Sequence, residues 1–324
     1  MRFSIPSLVQ VEAEMIRRGI EPDGPLPIAE KAIPTEGDAD LPPVIAAADR
    51  LEGTLRRVWI SAMKEVAKAM PMGEIARAIP SGHAGSVFGQ WLKAEMEKKV
   101  KPGVSATMRA GWLKGAWVGA DMLKPLGIQM RAATATISFN VVNAQAVSWA
   151  AENSGRLITD VTADQILSVS VIISDGIQNG RTVDQIARDI RTTIGLRQDQ
   201  INTLINFRAE LEADGVDPSM IDRRFERRAS GILSSRARII ARTEVVDAAN
   251  AGQRGLWNEA AHEGLFDKQT ARKVWVTTPD ELECPICEAL DGTEAPLDGQ
   301  FEGSLDGPTA HPSCRCGMNI KFGE

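Results

Sequence analysis

The chain has 324 residues, 43% of them hydrophobic and 25% charged, which fits a soluble globular protein of about two domains. Its net charge of -6 argues against nucleic-acid binding driven by bulk charge, and the lack of Tyr excludes a Tyr nucleophile or proton donor. The opening stretch carries acidic residues in a broken apolar pattern without an h-region, so no signal peptide is predicted. No apolar run reaches the length of a membrane span. Synthesis in the cytosol, with reduced thiols, is the expectation.

Residues 1–42 are rich in Pro and Gly and show no sustained period, which predicts an extended N-terminal arm, either docked on a partner or a flexible terminus. From Pro43 apolar residues recur at steps of three and four: Val44, Ala48, Leu51, Leu55, Val58, Ala62 and Val66. That period predicts a long amphipathic helix opening a helical domain over 43–154. A further helix is predicted over Gly85 to Lys99, and Ser105 can cap the next, which runs to about Leu123. In it Gly111, Gly115 and Gly119 sit four apart. Each Gly disfavours a helix by roughly 1 kcal/mol relative to Ala, so such a stripe predicts that another helix packs closely against it.

Asn140 to Asn153 reads as a helix ended by Gly155. Thr162 to Gln165 and Thr182 to Gln185 both read as capping boxes, opening helices that end near Gly180 and Gly195. Another helix carries Ile201, Leu204, Ile205 and Leu211, and from Asp217-Pro218 the chain stays helical, with a break near Gly231, until Gly264. Thr182 to Phe207 has the outline of a helix-turn-helix, but its arginines are largely offset by Asp184, Asp189 and Asp199. Arg223, Arg224, Arg227, Arg228, Arg236 and Arg238 form the densest basic cluster, a candidate contact to DNA or to an acidic partner, or a solvated, salt-bridged helix.

Past Gly264 the period shifts to that of strands: Lys273 to Thr278 alternates, Met318 to Phe322 can return as a last strand, and Asp-Gly pairs mark turns between them. The fold expected is therefore mainly α, a multi-helix protein with a small C-terminal antiparallel β unit. Units this small lean on a metal, a disulfide or a neighbour. All four cysteines lie here, as Cys284-x-x-Cys287 and Cys314-x-Cys316, with His311 three residues before Cys314. In a reducing compartment two short-spaced clusters of such ligands favour one structural zinc over disulfides, held by four of Cys284, Cys287, His311, Cys314 and Cys316. The flanks of the C-x-x-C read as loop, unlike a thioredoxin motif, which opens a helix. Asp280, Glu281, Glu283 and Glu288 lie close in sequence, yet a thiolate-rich site dulls zinc as a Lewis acid, and the deaminase pattern is only half present. The expected site is structural, with no catalytic residue. The alternatives are a metal-dependent nuclease or hydrolase at the Cys cluster, and a DNA-binding protein using the Thr182 hairpin.

The residues also form an ordered set. Arg238-Ile-Ile-Ala-Arg242-Thr243-Glu244 leads along a helix to Asn250, followed by Lys273-Val-Trp275, Asp280, Cys284-Pro-Ile-Cys287, Leu290-Asp-Gly292 and His311-Pro-Ser-Cys314-Arg-Cys316. In this order and spacing they resemble the phage Mu F-like minor head proteins, or phage head morphogenesis domain. The resemblance covers roughly the second half of the chain. It implies such a domain over 155–324, helical over 155–264, with the β and zinc unit over 265–324. It also implies a structural virion protein without established enzymatic activity, acting in head assembly and DNA packaging or ejection. The implied partners are the portal protein, the major capsid protein or both, and packaged DNA. The implied place is the head near the portal, in several copies per particle, after assembly in the host cytoplasm.

Overall fold

The computed structural model describes residues 41–128, 139–278 and 284–323. The predicted N-terminal arm up to residue 40, and Asp280, Glu281 and Glu283, lie outside the described residues. The chain is mainly helical, with a small antiparallel sheet near its C-terminal end, as its periodicities predict. The helices are α1 (Pro43–Ala69), α2 (Met72–Ala78), α3 (Ala84–Glu95), α4 (Lys101–Leu123), α5 (Phe139–Gln178), α6 (Val183–Thr192), α7 (Gln198–Ala213) and α8 (Pro218–His262). Then come β1 (Ala271–Val276), the short α9 (Pro285–Leu290), β2 (Glu294–Pro296) and β3 (Gly317–Phe322).

Several helices run through their predicted ends. Gly155 does not stop α5, because buried Leu157, Ile158 and Val161 carry its apolar face past the glycine. The predicted capping box at Thr162 does not form. The Thr162 hydroxyl donates back to the Ile158 carbonyl at 2.6 Å, and the Gln165 side chain accepts the Gly195 N–H at 2.5 Å. The Thr182 box does form, with Gln185 N–H on the Thr182 hydroxyl and Thr182 N–H on the Gln185 side chain. Ser105 caps nothing either, since α4 continues from α3 through a π turn over Met96–Val100. Pro102 explains that turn: its ring would strike the carbonyl four residues back in a regular helix, and the wider turn makes room. Gly231 leaves α8 unbroken.

One expectation about membranes is corrected. Val142–Gln178 is long and apolar enough to cross a membrane by length and composition, although polar residues interrupt every apolar run within it. Much of this helix is core: Val169, Ile172 and Ser168 are buried.

Contacts divide the chain into two compact units, and α1, α4, α5 and α8 each contribute residues to both. The first comprises the described residues within Met1–Leu55, Ser105–Asn153 and Ile239–Glu324. Within it the sheet has the order β2-β1-β3, antiparallel throughout, with Trp275 opposite Met318 and Lys273 opposite Ala295. Trp112, Trp257, Trp275, Cys287 and Cys314 share one core with it. The glycine stripe of α4 does what its spacing predicts. A Cβ at Gly115 would fall 1.7 Å from the Ala249 carbonyl oxygen, and one at Gly252 would fall 1.8 Å from that of Trp112, so α4 and α8 meet backbone to backbone. The Trp257 indole N–H donates to the Gly119 carbonyl at 3.1 Å across the same seam.

The second unit comprises Arg56–Val104 and Ser154–Arg238. Its α6–α7 hairpin buries Ile186, Ile190, Ile201 and Leu204. Asp189 is buried behind it and accepts from Arg208 at 2.8 and 3.0 Å and from Arg181 at 3.0 Å. Burial raises Asp189 above the ordinary carboxylate range, while the Arg208 and Arg181 charges pull it back. Arg208 also stacks 4.0 Å above the Phe225 ring. Replacing Asp189 by Ala strands the buried Arg208 cation, and the unfolding free energy should fall by about 3–5 kcal/mol in a urea titration. A fall below about 1 kcal/mol would show that the network contributes little.

Candidate metal centre

The five predicted ligands converge. The ligand atoms of Cys284, Cys287 and His311 lie within 4.8 Å of one another, as do those of Cys287, Cys314 and Cys316. Cys287 belongs to both groups. Cys284 is the N-cap of α9 and Pro285 its first residue, and the Cys287 N–H reaches back to the Cys284 sulfur at 3.4 Å. The C-x-x-C thus opens a short helix, contrary to the loop expected, because Pro favours the first helical position and the cysteine sulfur can cap. His311, Cys314 and Cys316 come from the segment before β3. There Cys314 N–H donates to the His311 carbonyl at 3.2 Å, and Ser313 takes a left-handed φ of 61°.

That segment is held by α8. The Thr243 hydroxyl accepts the Ser313 N–H at 3.0 Å, Asn250 donates to the Cys316 carbonyl at 3.1 Å, and Gln253 donates to the Met318 carbonyl at 3.0 Å. From the end of β1, the Thr278 hydroxyl donates to the Arg315 carbonyl at 2.7 Å. These four residues position the ligands, and the sequence reading missed their role. A signal for three of them exists: Thr243, Asn250 and Gln253 are polar residues sharing one face of an otherwise Ala- and Val-rich helix.

Lys273 was missed too. It alternates inward with Ala271 and Trp275, and its ammonium donates to the carbonyls of Gly299 at 2.7 Å and Asp306 at 2.5 Å. It thereby ties together the loop that leads to His311. Burial lowers its pKa from 10.5 to about 8; Arg254 pushes the same way and Asp306 and Asp298 oppose. Below pH 8 the folded state bears the full desolvation cost of the charge. Between pH 8 and 10.5 the unfolded chain keeps a proton that the folded one gives up, so this group adds stability as pH rises. Compared with Lys273→Met, the native chain should gain up to about 3 kcal/mol of unfolding free energy across that window in urea titrations. A constant difference between the two would contradict the assignment.

The site chemistry suits a soft cation. His311 Nδ1 lies 2.8 Å from the Pro312 carbonyl, an acceptor, so Nδ1 carries the hydrogen and Nε2 is left to coordinate. That Nε2 is 3.1 Å from both the Cys284 and Cys287 sulfurs, somewhat closer than the about 3.6 Å of a tetrahedral zinc edge. The Cys287 and Cys314 sulfurs, 3.8 Å apart, match the about 3.8 Å expected between two zinc thiolates. All four cysteines are free. Hydrogen bonding from Cys287, helped by His311, lowers the Cys284 thiol to about 4. Contacts from Cys287 and Cys316 hold Cys314 well below the usual thiol range. Cys287 is pushed up, first by its bond to Cys284, and Cys316 is also raised. Burial disfavours the His311 imidazolium, yet the Cys314 and Cys284 thiolates outweigh it and raise His311 well above its ordinary value. Cysteine sulfurs and an imidazole gathered this closely, in two groups that share Cys287, suit a thiophilic cation. The Cys/His cluster could therefore bind a metal.

The arginine cluster divides. Arg223, Arg224, Arg227 and Arg228 are exposed on α8, with Arg228 lying 4.3 Å above the Phe207 ring. Arg236 is buried beside Asp164 at 3.5 Å, and Arg238 is half-buried. Glu288 is exposed on α9.

Comparisons of the chain with curated proteins and with solved structures return no match. Among protein families, the one described as Phage Mu protein F like protein matches residues 168–319, a stretch that contains the whole Cys/His cluster and the α8 residues that hold it. Residues 168–319 of this chain are thus similar to the family described as Phage Mu protein F like protein.

Proposed function

We propose that this chain is a structural minor head protein of a tailed phage or prophage-derived particle. It sits in the head near the portal, in several copies, and acts in head assembly and in DNA packaging or ejection. The family match over 168–319 carries this reading. Its action is binding, and no residue is assigned to catalysis. The partners are the portal protein, the major capsid protein or both, met during assembly in the host cytoplasm. The exposed Arg223, Arg224, Arg227 and Arg228 suit packaged DNA or an acidic protein surface.

In this reading the Cys/His cluster holds one structural zinc through Cys284, Cys287, His311 and Cys314. Cys316 then stays outside the ligand set, its sulfur beside those of Cys287 and Cys314. Four protein ligands close the coordination shell, so the zinc supplies cross-linking rather than an open Lewis-acid position. The functional reading is tested by quantitative mass spectrometry of purified proheads and virions, with capture on immobilised portal. Several copies per particle and capture by portal are expected. Absence from both particles together with no capture would refute it.

A further inference from the structure

The metal-binding loop also has α1 seated on it. Gly317 directly follows the last cysteine, and a Cβ there would fall 2.6 Å from the Val44 side chain and 2.8 Å from that of Pro42. The first turn of α1 thus rests on the loop backbone without a gap, and Val44, Ile45 and Ala48 are buried. One to two turns further along, α1 presents Asp49 and Glu52. Glu52 pairs with Arg242 at 2.9 Å, both of them buried. Asp49 feels the charges of Arg242 and of Arg315, the residue between Cys314 and Cys316. Arg242 immediately precedes Thr243, whose hydroxyl holds the Ser313 N–H. The segment from His311 to Gly317 therefore lies between α8 and α1, gripped by side chains on one side and covered by apolar and charged contacts on the other.

We propose that the metal loop is the seat of the N-terminal end of α1, so that metal loading and the docking of residues 43–55 are coupled. The inference rests on the metal reading above. The loop has little regular structure of its own and includes a residue in left-handed conformation. With the metal bound, the cysteine pairs are tied together and the Gly317 backbone and Arg315 stay where α1 meets them. Without it, nothing ties the two cysteine pairs together, the loop opens, and its contacts to Pro42 and Val44, with the Arg315 charge near Asp49, go with it. Such coupling would let one ion hold together segments separated by most of the chain's length.

The test is hydrogen–deuterium exchange on the full chain, zinc-loaded and after chelation, with metal content measured in parallel. Chelation should speed exchange in peptides from 43–55 by about tenfold or more, while the α6–α7 hairpin over 183–213 is unchanged. Arg315→Ala keeps every candidate ligand. It should retain one zinc per chain and still speed exchange over 43–55 by at least about threefold. If chelation speeds exchange only over 284–318, the coupling is refuted while the metal site stands. Unchanged exchange over 43–55 in a zinc-retaining Arg315→Ala refutes it as well. A chain that contains no metal, and whose 284–318 segment ignores the chelator, overturns the metal reading and this inference together.

Discussion

Replacing Cys287 by Ser should empty the proposed metal site and melt the first unit. Among the candidate ligands Cys287 alone belongs to both three-residue groups, so no rearrangement of the other four replaces it. Structural zinc contributes on the order of 10 kcal/mol of apparent binding energy, and at the proposed site that energy would be spent on folding. The three-stranded sheet has little else of its own, since β2 spans only Glu294–Pro296 and outward positions along β3 are polar or half-exposed. The loss should spread beyond the sheet, because Cys287, Cys314 and Trp275 share one core with Trp112 and Trp257 of the helices. The expected result is zinc content near zero and a melting midpoint lower by about 10 °C or more, followed by tryptophan fluorescence. Cys316→Ser, by contrast, should keep its zinc. Equal melting of Cys287→Ser and the native chain would contradict the staple.

Replacing Gly252 by Val should be as damaging for a different reason. The new Cβ would sit 1.8 Å from the Trp112 carbonyl oxygen, and backbone has no rotamer into which to retreat. Two helices would have to separate, so the unfolding free energy should fall by about 4 kcal/mol or more. Gly231 lies in the same helix and is the internal control. A Cβ there meets nothing within 4 Å, so Gly231→Ala should stabilise by about 0.5–1 kcal/mol through helix propensity alone. Chemical denaturation of the two variants decides the matter. Similar values for both would remove the backbone contact from the account.

The main lines of this fold are written in periodicity. The 3.6-residue pattern from Val44 to Val66 gives α1, and the alternation Lys273-Val-Trp-Val gives β1 with its inward side chains. The cluster of candidate ligands was legible because cysteines at short spacings in a reducing compartment have few structural uses besides metal. Helix ends were harder to read. Thr162 and Thr182 carry the same local signal, but only Thr182 caps, because Gln165 is taken by the Gly195 N–H from another part of the chain. Nothing in the sequence near Thr162 announces that partner. For the same reason the positioning role of Thr243 and Asn250 was hidden: the groups they hold are 70 and 66 residues away. Arg236, read as part of one basic cluster, owes its burial to an Asp 72 positions earlier.

The central claim is that the proposed metal closes the C-terminal unit, and metal content with coordination tests it most directly. Elemental analysis and X-ray absorption on the full chain, purified from intact particles without added zinc, should find about one zinc per chain bound by three sulfurs and one nitrogen. Metal-free protein with its cysteines joined as disulfides would contradict the account.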